Sequence, residues 1–76
     1  MDFVFRPFFE NVTHYQLQIF NRWGVLIYES WDLNKGWDGY FKDGTLAQQG
    51  VYVWKVMGQY ADGNYFEKVG DVTFLH

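Results

Sequence analysis

The chain has 76 residues, no cysteine and a net charge of −3. This excludes a disulfide framework, a thiolate metal site and the basic run that nucleic-acid binding requires, and it leaves room for one small domain, expected to span residues 1–76. In their place the chain carries eight Phe, six Tyr and four Trp, whose large buried areas can stand in for staples.

Turn signals at short spacing, rich β-branched and aromatic content and the lack of helical periodicity predict an all-β domain. The expected architecture is a small Ig-like antiparallel β-sandwich of about five to seven strands. "FVFRPFF" (3–9) reads as a first strand, confined to an edge by Pro7. "HYQLQIFN" (14–21) alternates, with Tyr15, Leu17 and Ile19 on one side and Gln16 and Gln18 on the other. In "NRWG", Asn21 and Gly24 suit a type I turn followed by a left-handed glycine. That three-residue loop sets Ile19 across from Ile27 and Phe20 across from Leu26 in "VLIYES" (25–30), and it puts Arg22 and Trp23 at the tip.

Residues 31–50 form the least regular part. Asp38-Gly39 and Asp43-Gly44 imply two tight turns around at most a short "YFK" strand. "GVYVWKVMGQY" (50–60) is apolar on both faces at its start, the pattern of a central strand covered on both sides. For the last hairpin, around "ADGN", an odd loop with Asn64 left-handed pairs Trp54 with Val72 and Tyr52 with Phe74; a two-residue loop would set Trp54 against Asp71.

Catalytic chemistry is hard to assemble. Nucleophilic catalysis needs an activated side chain beside a base, and the chain offers one serine, Ser30, and two histidines, His14 and His76. Asp38 and Asp43 read as turn formers. Asp32 and Asn34 start like an EF-hand loop, but Gly36 stands one position early and no Glu closes it. No enzyme activity, cofactor or metal is expected. Exposed rings, among Trp23, Trp31, Trp37, Trp54 and Tyr40, leave a carbohydrate-binding or adhesive module as the alternative reading.

Four stretches in order, "YQLQIFNRWGVLIYES" (15–30), "KGWDGYFKDG" (35–44), "QQGVYVWKV" (48–56) and "GDVTFLH" (70–76), give the chain a family likeness. Together they resemble the type B C-terminal sorting domain of the type IX secretion system, found on gliding-motility-associated and adhesin-like proteins of Bacteroidetes. A more distant likeness, in "WDG…G…GVY", is to the Ig-like domain of flagellar hook-capping proteins. The resemblance implies a non-catalytic address label at the end of a larger secreted protein, here truncated at its N-terminal edge. It implies partners in the translocon and among outer-membrane β-barrel accessory proteins, and cargo that passes the periplasm to reach the medium or cell surface. Asn21, Gly24, Gly36, Trp37, Asp38, Gly39, Gly50, Val51 and Tyr52 are then the turn and structural residues. Arg22 and Trp23 remain open: Trp23 either folds back over the sheet as a lid, or presents with Arg22 a rigid contact for a translocon partner.

Overall fold

In the computed structural model, which describes residues 3–75, the alternating run becomes strand β1, Val12–Phe20. It is followed by β2, Leu26–Ser30, β3, Gly50–Tyr60, and β4, Tyr65–Phe74. All neighbours run antiparallel, in the order β2-β1-β3-β4. The domain is all-β and sandwich-like, but the described residues form four strands rather than the expected five to seven.

The missing strands have a local cause. Pro7 and the closely spaced Asp-Gly turns leave no run long enough for a ladder. Residues 3–9 and 31–49 instead supply isolated bridges, Phe5 to Trp37 and Tyr40 to Leu46. The Phe5–Trp37 bridge exchanges two backbone hydrogen bonds of 2.8 Å. These irregular segments form the second layer. Phe3 packs edge-on to Trp37 and Phe74, Phe5 lies against Trp54, and Phe9 lies against Tyr15 and Phe66.

The core therefore lies on one face of the sheet. Tyr15, Leu17 and Ile19 of β1 meet Tyr52 and Val56 of β3, Phe74 of β4, and Trp37 from the covering layer. The other face of β3 is not covered: Val51 is 54% exposed and Val53 37%, which corrects the expectation of a strand buried on both sides. An apolar pattern shows that two faces could take cover; here the chain supplies cover for one.

Register departs from expectation twice. Phe20 does face Leu26, but a bulge then sets Ile19 opposite Tyr28 instead of Ile27. Tyr28 and Ser30 turn inward, and the Tyr28 hydroxyl donates to the Gly36 carbonyl at 3.2 Å. In the last hairpin the loop is odd, but Gly63, with φ of 93°, takes the left-handed position instead of Asn64. Trp54 therefore pairs with Gly70 and Tyr52 with Val72, two residues from the expected partners and on the same faces. Glycine adopts positive φ without a Cβ penalty, so it wins that position over asparagine.

Candidate functional site

Three loops share one backbone. In "NRWG", "FKDG" and "YADG" the fourth-residue amide donates to the first carbonyl, at 3.0, 3.0 and 2.9 Å for Gly24, Gly44 and Gly63. The first residue's amide then donates to the carbonyl just past the glycine: Asn21 to Val25, Phe41 to Thr45 and Tyr60 to Asn64. Each is a type I turn closed by a left-handed glycine.

They differ in who supplies the side-chain cap. Asp43 accepts from the Thr45 amide and Asp62 from the Asn64 amide, each at 2.9 Å, so the third position of those loops is taken by an aspartate. The Thr45 hydroxyl and amide hydrogen bonds hold the Asp43 carboxyl below its usual value. In the β1–β2 loop the first residue does this work. Asn21 Oδ1 accepts from the amides of both Trp23 and Val25 at 2.9 Å. The third position is thereby released from capping, and a tryptophan occupies it.

Trp23 is 76% exposed. It does not fold back as a lid, which corrects that alternative; Phe8, Trp31 and Tyr65 also stand in solvent. The Arg22 guanidinium lies over its ring, 4.8 Å from the centroid. Beneath the loop is a cleft of about 420 Å³ between the hairpin tip and residues 41–52. Asn21, Arg22 and Trp23 form one wall; Thr45, Gln48 and Tyr52 are on the other. Tyr52 is fixed by its hydroxyl, which donates to the Gln48 carbonyl at 2.7 Å.

The cleft opens beside an apolar row on the uncovered face. Leu26, Phe20 and Val53 are directly paired across β2, β1 and β3, with Val51 the next residue of β3 on that side. Farther along, the same face turns polar. Glu29 accepts from the side-chain amides of Gln16 and Gln18 at 2.6 and 3.0 Å, and Lys55 pairs with Glu67 at 2.9 Å. On β2, β1 and β3 this face is thus apolar at the Trp23 loop and polar away from it, while β4 sets Thr73 against Val51 and Asp71 against Val53.

The other motif residues are structural in placement. Trp37 is fully buried, and its indole N–H donates to the Tyr40 carbonyl at 3.0 Å. Asp38 accepts from the Tyr40 amide, and the Gly39 carbonyl accepts from Ala47. Gly36 lies where a Cβ would stand 2.6 Å from the Phe5 carbonyl oxygen, so the Phe5–Trp37 bridge needs a glycine there. Asp32 accepts from the Asn34 amide at 2.9 Å. Among the described residues, no three acidic, histidine or cysteine side chains gather as a metal site would require.

Comparison with protein-family models matches residues 2–73 to the CHU_C type IX secretion signal domain. The chain belongs to that family. Comparison with curated proteins and with solved structures returns no match. The family match spans every strand of the sheet except the last residue of β4, and it includes both the Trp23 loop and the buried Trp37 turn. In this type IX secretion signal domain, the sequence alone pointed to the Arg22–Trp23 tip. It did not point to the apolar row beside it. The alternation of Val51 and Val53 with Tyr52 and Trp54 was the available signal, but it suits a doubly covered strand equally well.

Proposed function

We propose that the domain is a folded, non-catalytic sorting signal that carries a larger cargo protein through the type IX secretion system. Its surface is read by translocon components and outer-membrane β-barrel accessory proteins, and the cargo passes from the periplasm to the cell surface or the medium. Residues 1–76 act as one unit at the end of that cargo. The observation that carries the reading is the Trp23 loop: two large side chains stand in solvent at a turn whose geometry requires only Asn21 and Gly24. Membership of the signal-domain family supports export as the purpose of that surface.

The polar groups that an enzyme would need are engaged in local structure. Ser30 Oγ accepts from the Asp32 amide at 3.1 Å, and Asp32, Asp38 and Asp43 each accept from backbone amides nearby. His14 is exposed at a strand, with Nδ1 3.2 Å from the neighbouring Thr13 hydroxyl.

The test is fusion of residues 1–76 to a fluorescent cargo, expressed in a host with and without the type IX apparatus. Cargo outside the cell only when the apparatus is present is the expected result. Equal release in both hosts, or retention in both, would refute the proposal.

A further inference from the structure

The cleft beneath the Trp23 loop has a chemical bias. Among its lining residues Arg22 is the one formal charge, set among amides, hydroxyls and rings, on a domain whose net charge is −3. The ion pair found among the described residues joins Lys55 to Glu67, so no carboxylate of a described residue pairs with Arg22. Asp43, near the opposite wall, is occupied with the Thr45 amide. A guanidinium lying over an indole keeps its in-plane N–H groups available, and that edge matches a carboxylate in two-point geometry.

Two further features choose between ligand classes. A sugar platform at this cleft needs an open ring face; Arg22 lies over the Trp23 ring, Trp37 and Trp54 lie in and against the core, and the exposed rings of Trp31 and Tyr40 do not line the cleft. A peptide needs room for backbone and an apolar seat. Gly50 lines the cleft with nothing within 4 Å of the place a Cβ would occupy, and exposed Val51 beside it leads onto the apolar row of Val53 and Phe20.

We infer that this cleft receives an extended acidic peptide segment of a partner protein, with a carboxylate on Arg22 and a flanking apolar side chain on Val51. The inference rests on the proposed reading of the loop as a recognition surface and names the chemistry of what reads it.

The test uses the isotope-labelled chain and three capped pentapeptides, acetyl-Gly-Leu-Asp-Leu-Gly-amide and its Asn and Lys counterparts, followed by NMR. The Asp probe is expected to move the Trp23 indole and the Gln48–Val51 amide signals, with an affinity about tenfold above that of the Asn probe. The Lys probe should leave them in place. Arg22→Gln, at an exposed position, should remove the Asp-over-Asn preference while the rest of the spectrum stays native. Equal affinity for Asp and Asn, a preference that survives Arg22→Gln, or signals moving elsewhere on the domain would overturn the inference. So would a β-glucan tetrasaccharide that moves these signals where the Asp probe does not.

The reporter fusion separates this inference from the one beneath it. If the fusion is exported and Arg22→Gln lowers export without any carboxylate preference in the probes, the recognition surface stands and the acidic partner falls. If the fusion is never exported but the Asp probe still binds through Arg22, the export reading falls and the peptide site stands.

Discussion

Trp54 on β3 lies directly across from Gly70 on β4, and its indole covers the place where a side chain would stand. A Cβ on Gly70 would come within 2.5 Å of the ring carbon Cζ2. The arrangement recurs at Gly58, which pairs with Phe66, where a Cβ would be 2.7 Å from the ring. It recurs again at Gly39, where a Cβ would be 2.6 Å from the Phe74 ring. At each of these positions the absent side chain leaves room that the neighbouring ring takes up.

Gly70→Ala should therefore destabilise the fold by overpacking, by about 1–3 kcal/mol, read as a lower urea midpoint with unchanged slope. The cause is testable in a double-mutant cycle with Trp54→Leu. Each single change should be harmful, and the double should be less harmful than their sum because the shorter side chain vacates the space above residue 70. Strict additivity would mean that the ring does not govern Gly70.

Gly63 and Gly39 separate backbone strain from crowding. Both have positive φ, 93° and 90°, but the space around Gly63 is open while Gly39 sits under Phe74. Gly63→Ala should cost about 1–2 kcal/mol, the left-handed penalty alone. Gly63→Asn should cost less, since asparagine tolerates that region. Gly39→Ala adds the ring clash and should lower the thermal midpoint much further than Gly63→Ala. Similar losses at the two sites would place the Phe74 ring elsewhere.

Recognition and stability should part company at the Trp23 loop. Arg22→Ala and Trp23→Ala remove side chains that stand in solvent, so each should change unfolding free energy by no more than about 0.5 kcal/mol. Export of a fused reporter should nonetheless drop. Trp37→Leu is the contrast. It hollows the centre of the core, where Trp37 touches Tyr52 and Phe74, and should cost about 3 kcal/mol or more. A folded Trp23→Ala variant exported at the wild-type level would remove the loop from recognition.

What could be read from the sequence were features set by near neighbours in the chain. Tyr15, Leu17 and Ile19 announce their face by alternation, and Asn21 with Gly24 announces its turn, because both depend on residues within a few positions. The bounds of β3 were also visible, since Gly50 and the "ADG" turn punctuate it. What could not be read was settled by contacts distant in sequence. The bulge opposite Ile19 follows Tyr28 reaching Gly36, and the position of Trp54 follows the choice between Gly63 and Asn64 as the left-handed residue. The covering layer departs from its strand-like pattern for a related reason. Phe3, Phe5 and Phe9 have strand-like spacing, yet what holds them is ring packing on the sheet below, and a period of two describes both. The site was half visible: Arg22 and Trp23 drew attention as residues their turn does not need, whereas the cleft wall at Thr45 and Gln48 comes from the stretch with the weakest pattern.

Two buried phenols should respond in opposite ways to the same deletion. Tyr15 lies in the core, and among the described residues its hydroxyl has no hydrogen-bond partner. Burial pushes its ionisation above the ordinary tyrosine value, with the Arg6 charge opposing. Tyr52 is also raised by burial, but its hydroxyl donates to Gln48. Tyr15→Phe removes a desolvated oxygen and should raise stability by up to about 1 kcal/mol, while Tyr52→Phe strands the Gln48 carbonyl and should lower it by about 1 kcal/mol. The pH dependence has one sign for both. The folded chain holds each phenol neutral past the point at which the unfolded chain ionises, so their contribution is complete below pH of about 10 and is lost as pH rises above it. Urea midpoints measured at neutral pH and on the alkaline side should show each Phe variant with a shallower alkaline decline than the parent. A Tyr15→Phe midpoint at or below the parent's at neutral pH would mean that this hydroxyl is satisfied after all.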